Sequence, residues 1–127
     1  MLAVALGAAV GAPLRFAVER RLASAYPWGT LLVNVAGSAV LGALAAWAAG
    51  RDAASVAVLA ALVGTGFCGS VTTFGGYAAQ VLDLAVNGGG RPRAARSARA
   101  LGYASISIVL CVAVASAAYV LTRALVT

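Results

Sequence analysis

Four long apolar runs, separated by short polar stretches, fill almost the whole chain. They cover roughly residues 2–20, 29–50, 55–86 and 100–121. A helix rises about 1.5 Å per residue, so about 20 apolar residues suffice to cross the hydrocarbon core of a bilayer. The pattern predicts an all-α membrane protein in which residues 1–127 form a single integral membrane domain with four transmembrane helices.

The third run differs from the others because it is about thirty residues long and its middle is unusually polar and glycine-rich. Residues 64–77 contain five glycines, together with threonines and aromatic residues. Glycine lacks the Cβ that favours regular helix, and non-helical backbone at membrane depth survives only where it is buried or lines a cavity. The sequence therefore predicts a third helix broken mid-membrane, near residues 66–73, and such discontinuous helices commonly form ion sites.

Two runs carry a one-sided stripe of polar residues, because residues four apart share one helical face. The stripes are Thr30, Asn34 and Ser38 in the second run, and Tyr103, Ser107 and Cys111 in the fourth. One interpretation is interhelical hydrogen bonding, worth about 0.6–2 kcal/mol per contact. The other is a polar track for a solute, in which the amide of Asn34 offers two N–H donors to an anion.

Composition points to lipid as the solvent. Hydrophobic residues make up 63% of the 127 residues and charged residues only 9%, against about 25% charged in soluble domains. Cys68 and Cys111 both fall in apolar runs, which indicates small buried side chains rather than a disulfide framework. Without histidine, a metal-binding cluster or a nucleophile–base pair, the sequence predicts no enzyme.

The net charge is +6, and every cation is an arginine. The arginines flank the apolar runs instead of forming a face with interleaved aromatics, so they indicate membrane topology and not nucleic-acid binding. Six follow the first and third runs: Arg20, Arg21, Arg91, Arg93, Arg96 and Arg99. Arg51 and Arg123 lie on the opposite side. The positive-inside rule then places the first group in the cytoplasm and both termini outside.

Charged residues near the ends of the runs separate two classes of transporter. Arg15 either snorkels to the interface or raises the anion concentration in a vestibule. A small multidrug-type proton antiporter also has four spans, but it needs a carboxylate embedded in the membrane. Glu19 and Asp83 both lie near the ends of their runs, which disfavours the antiporter.

Four segments, in this order, resemble motifs of the Fluc (CrcB) family of fluoride channels, and together they cover nearly the whole chain. They are residues 7–16 (GAAVGAPLRF), residues 27–42 (PWGTLLVNVAGSAVLG), residues 65–74 (TGFCGSVTTF), and the pair Tyr103 and Ser107. The resemblance implies two four-helix subunits packed as an antiparallel, dual-topology dimer. The broken third helices would cross at its centre and hold one structural Na⁺ through the backbone carbonyls of Gly69 and Thr72, a ligand type that suits a hard cation.

The resemblance also implies a passive, fluoride-selective pore that exports the ion from the cytoplasm and reduces its toxicity. The residues carried over to the pore are Asn34, Phe74, Tyr77, Tyr103 and Ser107, with Arg15 at the vestibule. Aromatic rings have a positive edge, and conduction requires several weak sites. The expected surroundings are fluoride, membrane lipid and a second subunit in the plasma membrane of a bacterium.

The chain departs from the family pattern after Phe74, where Ser-Thr-Phe would be expected. Gly75 and Gly76 remove two hydroxyls, and Tyr77 keeps a ring but adds a hydroxyl. In addition, the arginine bias of six to two favours one orientation, at about 1 kcal/mol per basic residue. These features predict a heterodimer with an inverted paralogue, and they leave open a homodimer and a non-conducting structural subunit.

Overall fold

The computed structural model describes residues 1–87 and 90–126, and within these residues it contains helices and no strand. Gly88 and Gly89, which belong to the loop before the fourth run, lie outside the described residues. The elements are α1 (Leu2–Arg21), α2 (Trp28–Ala48), α3 (Ala53–Leu59), a π-helical segment (Ala60–Cys68), α4 (Gly69–Val71), α5 (Phe74–Val86) and α6 (Arg93–Val126).

Four stretches are long and apolar enough to cross a membrane: α1, α2, the series from α3 to α5, and α6. Large apolar side chains face outward, as at Val109, which is 64% exposed. Many of the positions buried between helices are small or polar, among them Gly7, Thr30 and Ser107. This distribution is typical of helices packed in lipid. The predicted all-α fold, with four spans and an interrupted third helix, is confirmed.

The third helix changes geometry twice. It widens into the π-helical segment, which the sequence did not predict, and it stops only at Thr72 and Thr73, whose backbone is extended. This interruption lies inside the predicted window of residues 66–73. Extended π-helix is rare and is found mostly at functional sites.

Glycines let α1 approach the π-helical segment at backbone distance. A Cβ added to Gly66 would lie 2.6 Å from the carbonyl oxygen of Val4, and one added to Gly7 would lie 2.7 Å from the amide nitrogen of Phe67. Neither neighbour is a side chain that can move aside. Small residues of this kind are what allow helices in lipid to pack without a hydrophobic driving force.

The second half of the chain is built around α6, which packs along α2 and against α5. A small core cluster joins the three helices: Leu31, Leu84, Ala100 and Tyr103. The helix begins at Arg93 rather than near residue 100, because the alanine-rich stretch before residue 100 favours helix and the Arg96 amide donates to the Pro92 carbonyl. The extra turns carry three arginines of the predicted cytoplasmic side.

Arginine side chains also satisfy carbonyls at the ends of helices. Arg96 donates to the Val86 carbonyl at the end of α5, at 2.6 Å, and Arg123 donates to the Ala49 carbonyl after α2, at 3.0 Å. Arg51 donates to the Trp47 carbonyl and lies over the Trp47 ring. Cations at helix C-termini are favourable because they complement the macrodipole. These arginines therefore stabilise helix ends in addition to their predicted role in topology.

Replacement of Gly42 by alanine is expected to destabilise the fold by about 1–3 kcal/mol. The new Cβ would lie 2.9 Å from the Ala115 carbonyl carbon, and the backbone of α6 cannot yield without parting from α2. The measurement is the thermal unfolding midpoint of the purified chain in detergent.

The matched control is Gly102→Ala on α6, where an added Cβ meets nothing within 4 Å. Alanine is the better helix former by about 1 kcal/mol, so this variant should equal or exceed the wild type. Equal midpoints for the two variants would contradict the close packing of α2 on α6.

Candidate functional site

An open groove of about 400 Å³ runs beside the break and collects most of the predicted site residues. Its walls come from α2, the third helix and α6. The polar and aromatic side chains and backbone along it belong to Asn34, Ser38, Cys68, Gly69, Thr72, Thr73, Phe74, Tyr77, Ser107 and Cys111. At the interruption of the third helix the two predicted polar stripes meet through Asn34, Ser38, Ser107 and Cys111, whereas Thr30 and Tyr103 do not line the groove.

The side chain of Asn34 forms two hydrogen bonds with the backbone of the extended residue Thr73. Its Nδ2 donates to the Thr73 carbonyl at 3.3 Å, and its Oδ1 accepts from the Thr73 amide at 2.8 Å. An amide side chain suits this pairing because it is donor and acceptor at once. One of the two Asn34 N–H donors expected to serve an anion is therefore used by the backbone.

Thr73 itself starts the next helix. Its Oγ1 accepts from the Gly76 amide at 2.9 Å, which makes it the N-cap of α5. Capping of this kind typically contributes about 1 kcal/mol. A Cβ on Gly76 would lie 2.7 Å from the Thr73 methyl group, so the glycine that departs from the family pattern leaves room for this cap.

Two carbonyl groups lose their helical donors at the break, because side chains bind the amides that would otherwise donate to them. In a continuous α-helix the amides of Thr73 and Gly76 would donate to the carbonyls four residues earlier, on Gly69 and Thr72. Both amides bond to side chains instead. Gly69 is exposed and Thr72 is half-buried on the groove wall. Neutral carbonyl oxygens are the ligands that hard cations prefer, so these two atoms fit part of such a site.

Tyr103 and Ser107, one turn apart on α6, carry two buried hydroxyls, and Ser107 lies on the groove wall. The residues are 1% and 3% exposed. Neither hydroxyl makes a hydrogen bond with any described residue. Leaving a buried donor unpaired costs about 1–3 kcal/mol. Such groups are suited to donate to a ligand that accepts hydrogen bonds.

Five aromatic rings connect the loop after α1 with the break. The centroid distances are 4.7 Å for Trp28–Tyr26, 5.6 Å for Tyr26–Tyr103, 5.9 Å for Tyr103–Tyr77 and 5.7 Å for Tyr77–Phe74. The sequence analysis did not predict the edge-on contact of Tyr26 with Tyr103. No local signal reveals that contact, since the two residues are 77 positions apart in the numbering.

The two rings at the break have different surroundings. Phe74 is 81% exposed and forms the rim. The hydroxyl of Tyr77 donates to the Ala104 carbonyl of α6 at 3.3 Å. The added hydroxyl of Tyr77 is thus bonded to the backbone, and the residue presents its ring to the groove as a phenylalanine would.

Charged side chains do not line the groove within the described residues. Arg15 is half-buried on α1, which contributes nothing to the groove wall, so its role at a vestibule stays a prediction. Glu19 accepts from Thr30 Oγ1 at 3.2 Å, and Asp83 pairs with Asn87 at 2.9 Å. The carboxylates are therefore engaged away from the groove.

Known proteins resemble the chain over nearly its full length. The family model described as "CrcB-like protein, Camphor Resistance (CrcB)" matches residues 2–119. A Frankia casuarinae protein named fluoride-specific ion channel FluC 1 is 44% identical over 95 residues, covering 68% of this chain and 73% of the relative. The fluoride-specific ion channel FluC of Bordetella petrii is 44% identical over 110 residues, with 85% and 79% covered. That of Hyphomonas neptunium is 35% identical over 113 residues, with 86% and 84% covered.

Replacement of Tyr103 by phenylalanine is not expected to lower the stability of the fold. Because it removes an unpaired buried hydroxyl, it can raise the stability by about 1–3 kcal/mol at most. Replacement of Tyr77 by phenylalanine is expected to lower stability by about 0.5–1.5 kcal/mol, because it deletes a hydrogen bond. Both variants keep the ring contacts. Thermal unfolding in detergent measures the difference, and a larger loss for Tyr103→Phe than for Tyr77→Phe would show that the Tyr103 hydroxyl is partnered.

Proposed function

The chain belongs to the CrcB family, a family of multi-pass membrane ion channels and not of enzymes, and from this premise we propose that it conducts fluoride. The observation that carries the proposal is the unpaired buried hydroxyl of Ser107 on the wall of a groove rimmed by aromatic rings, with the unpaired hydroxyl of Tyr103 one helical turn before it on α6. Fluoride is a small, strongly hydrated anion, so a pore must replace its water with donors. Hydroxyls, the remaining N–H of Asn34 and the positive ring edges supply them.

Passive permeation is the proposed mode of transport, and the lack of charged side chains on the described groove wall supports it. A fixed cation in a dry pore would hold the anion too tightly for release, whereas several neutral donors bind it weakly enough for passage. The ion then moves down its electrochemical gradient. Fluoride enters cells as the neutral acid and ionises inside, so a negative interior drives the anion outward. Export from the cytoplasm, across the plasma membrane of a bacterium, is the proposed role.

A second subunit is proposed because the groove and the two diverted carbonyls cannot face lipid. Backbone groups without partners do not occur on a lipid-exposed surface within the hydrocarbon region. Gly69 is exposed in the single chain, and covering it with an inverted copy or paralogue would bring two pairs of carbonyls together. The four oxygens would bind one Na⁺, which supplies positive charge near the anion path.

A non-conducting partner subunit is the second candidate. Gly75 is exposed and a Cβ there would meet nothing within 4 Å, so one hydroxyl of the family pattern is missing without compensation. The structure favours conduction by this chain for another reason, since Asn34, Phe74, Tyr77 and Ser107 all line one groove.

The channel proposal predicts fluoride efflux from liposomes that far exceeds chloride efflux. The preparation contains the purified chain, together with its paired subunit where one co-purifies. Ser107→Ala removes one donor to the anion. A hydrogen bond to a charged group is worth about 1.5–3 kcal/mol, so fluoride flux should fall about tenfold or more.

Thr30→Val is the matched control, because Thr30 is a buried hydroxyl that donates to Glu19 and does not line the groove. It should retain fluoride flux near the wild-type level. Equal efflux of the two halides, or unchanged fluoride flux in both Ser107→Ala and Phe74→Ile, would defeat the proposed path.

The arginine bias predicts a single orientation for this subunit. In a background with Cys68 and Cys111 replaced by alanine, Ala25→Cys places a thiol in the loop after α1 and Ala53→Cys places one at the first residue of α3. Both positions are exposed. A membrane-impermeant maleimide added to whole cells should label Ala53→Cys and spare Ala25→Cys. Comparable labelling of both would show dual insertion and favour a homodimer.

A further inference from the structure

We infer that Asn34 and Thr73 are the positioning residues of the proposed cation site, because their side chains take the two amides that would otherwise close the helix over the Gly69 and Thr72 carbonyls. The inference rests on the proposed function, since it concerns the sodium site within the channel. It assigns Asn34 a role beyond its place in the anion path.

The first step is the geometry of the hydrogen bonds that Asn34 and Thr73 make to backbone groups at the break. Asn34 engages both polar backbone atoms of Thr73, at 2.8 Å and 3.3 Å. Thr73 then engages the Gly76 amide at 2.9 Å. The pairing holds Thr73 extended, with φ −152° and ψ 120°. In this conformation the third helix cannot continue, so the carbonyls before it keep their lone pairs for another partner.

The second step is the rigidity of the support. Asn34 stands on α2, an uninterrupted helix of 21 residues. One turn further, Gly37 lies against the break so closely that an added Cβ would be 3.3 Å from Val71 Cγ1 and would overlap the Thr72 methyl group. The backbone of α2 thus fixes the depth of the break, and the amide of Asn34 fixes its conformation.

The third step concerns side-chain identity. Aspartate at position 34 would accept from the Thr73 amide, but it could not donate to the Thr73 carbonyl and would set a negative charge against that oxygen. Valine at position 73 keeps the branched shape of threonine and loses the acceptor for Gly76. Serine keeps the acceptor. The substitutions therefore separate hydrogen bonding from shape.

The test is the response of thermal unfolding to sodium, measured on the purified assembly in detergent with NaCl and with choline chloride at equal ionic strength. A ligand that binds only the folded state raises its stability, so the wild-type midpoint should rise with Na⁺. Asn34→Leu and Thr73→Val should lose this Na⁺-dependent rise. Thr73→Ser should retain it.

Thr30→Val is the control for general destabilisation, since Thr30 lies one turn before Asn34 on α2 and its hydroxyl donates to Glu19, not to the break. It should lower the midpoint in both salts and leave the Na⁺-dependent rise intact. Should Asn34→Leu fail to fold, the pair Thr73→Val and Thr73→Ser carries the comparison.

A wild-type-like Na⁺ response in Thr73→Val would overturn the inference, as would a wild type that does not respond to Na⁺. Fluoride efflux by the wild type, recorded in parallel, distinguishes this failure from failure of the channel proposal. Efflux with an unchanged Na⁺ response in the variants removes the positioning role alone. A wild type without fluoride-selective efflux removes the channel.

Discussion

The structure depends on one constraint, which is that backbone polar groups inside a membrane must be bonded to the protein or to what it binds. At the break in the third helix, backbone groups lose their helical hydrogen-bond partners, and side chains replace some of these partners. Asn34 bonds the amide and the carbonyl of Thr73, and Thr73 bonds the Gly76 amide in the first turn of α5. The carbonyls of Gly69 and Thr72 thereby lose the donors of a continuous helix, and the hydroxyl of Ser107 on the groove wall has no partner among the described residues. These groups are the ones available to a ligand.

The lipid surroundings also explain why many buried positions are small or polar while many exposed ones are large and apolar. Helices in lipid associate through close packing and hydrogen bonds instead of through hydrophobic burial. Gly7 and Gly66 bring α1 onto the π-helical segment, and Gly42 brings α2 onto α6. These contacts hold the walls of the groove at fixed distances, so that donors on two different helices can act on one solute.

The spacing of apolar and polar residues, together with composition, was sufficient to predict the four spans, the interruption near residues 66–73 and the two polar faces, because these features are local. The π-helical segment was not predicted, and its close contact with α1 through Gly7 and Gly66 joins residues far apart in sequence. The hydrogen bonds between Asn34 and Thr73 were not predicted either, because the two residues are 39 positions apart and no local signal indicates their pairing. Spacing placed Asn34 on the correct face, but only the fold shows that its amide serves the backbone as well as the groove.

The length of α6 has a consequence for the surface of the assembly. Its 34 residues extend about 50 Å at 1.5 Å per residue, whereas the hydrocarbon core is about 30 Å thick. The N-terminal turns, with Arg93, Arg96 and Arg99, therefore project past the acyl chains as a short cationic stalk. In an assembly of two inverted copies of this chain, one stalk would stand on each face of the bilayer. Anionic lipid headgroups would then gather around the two stalks, on opposite faces of the complex.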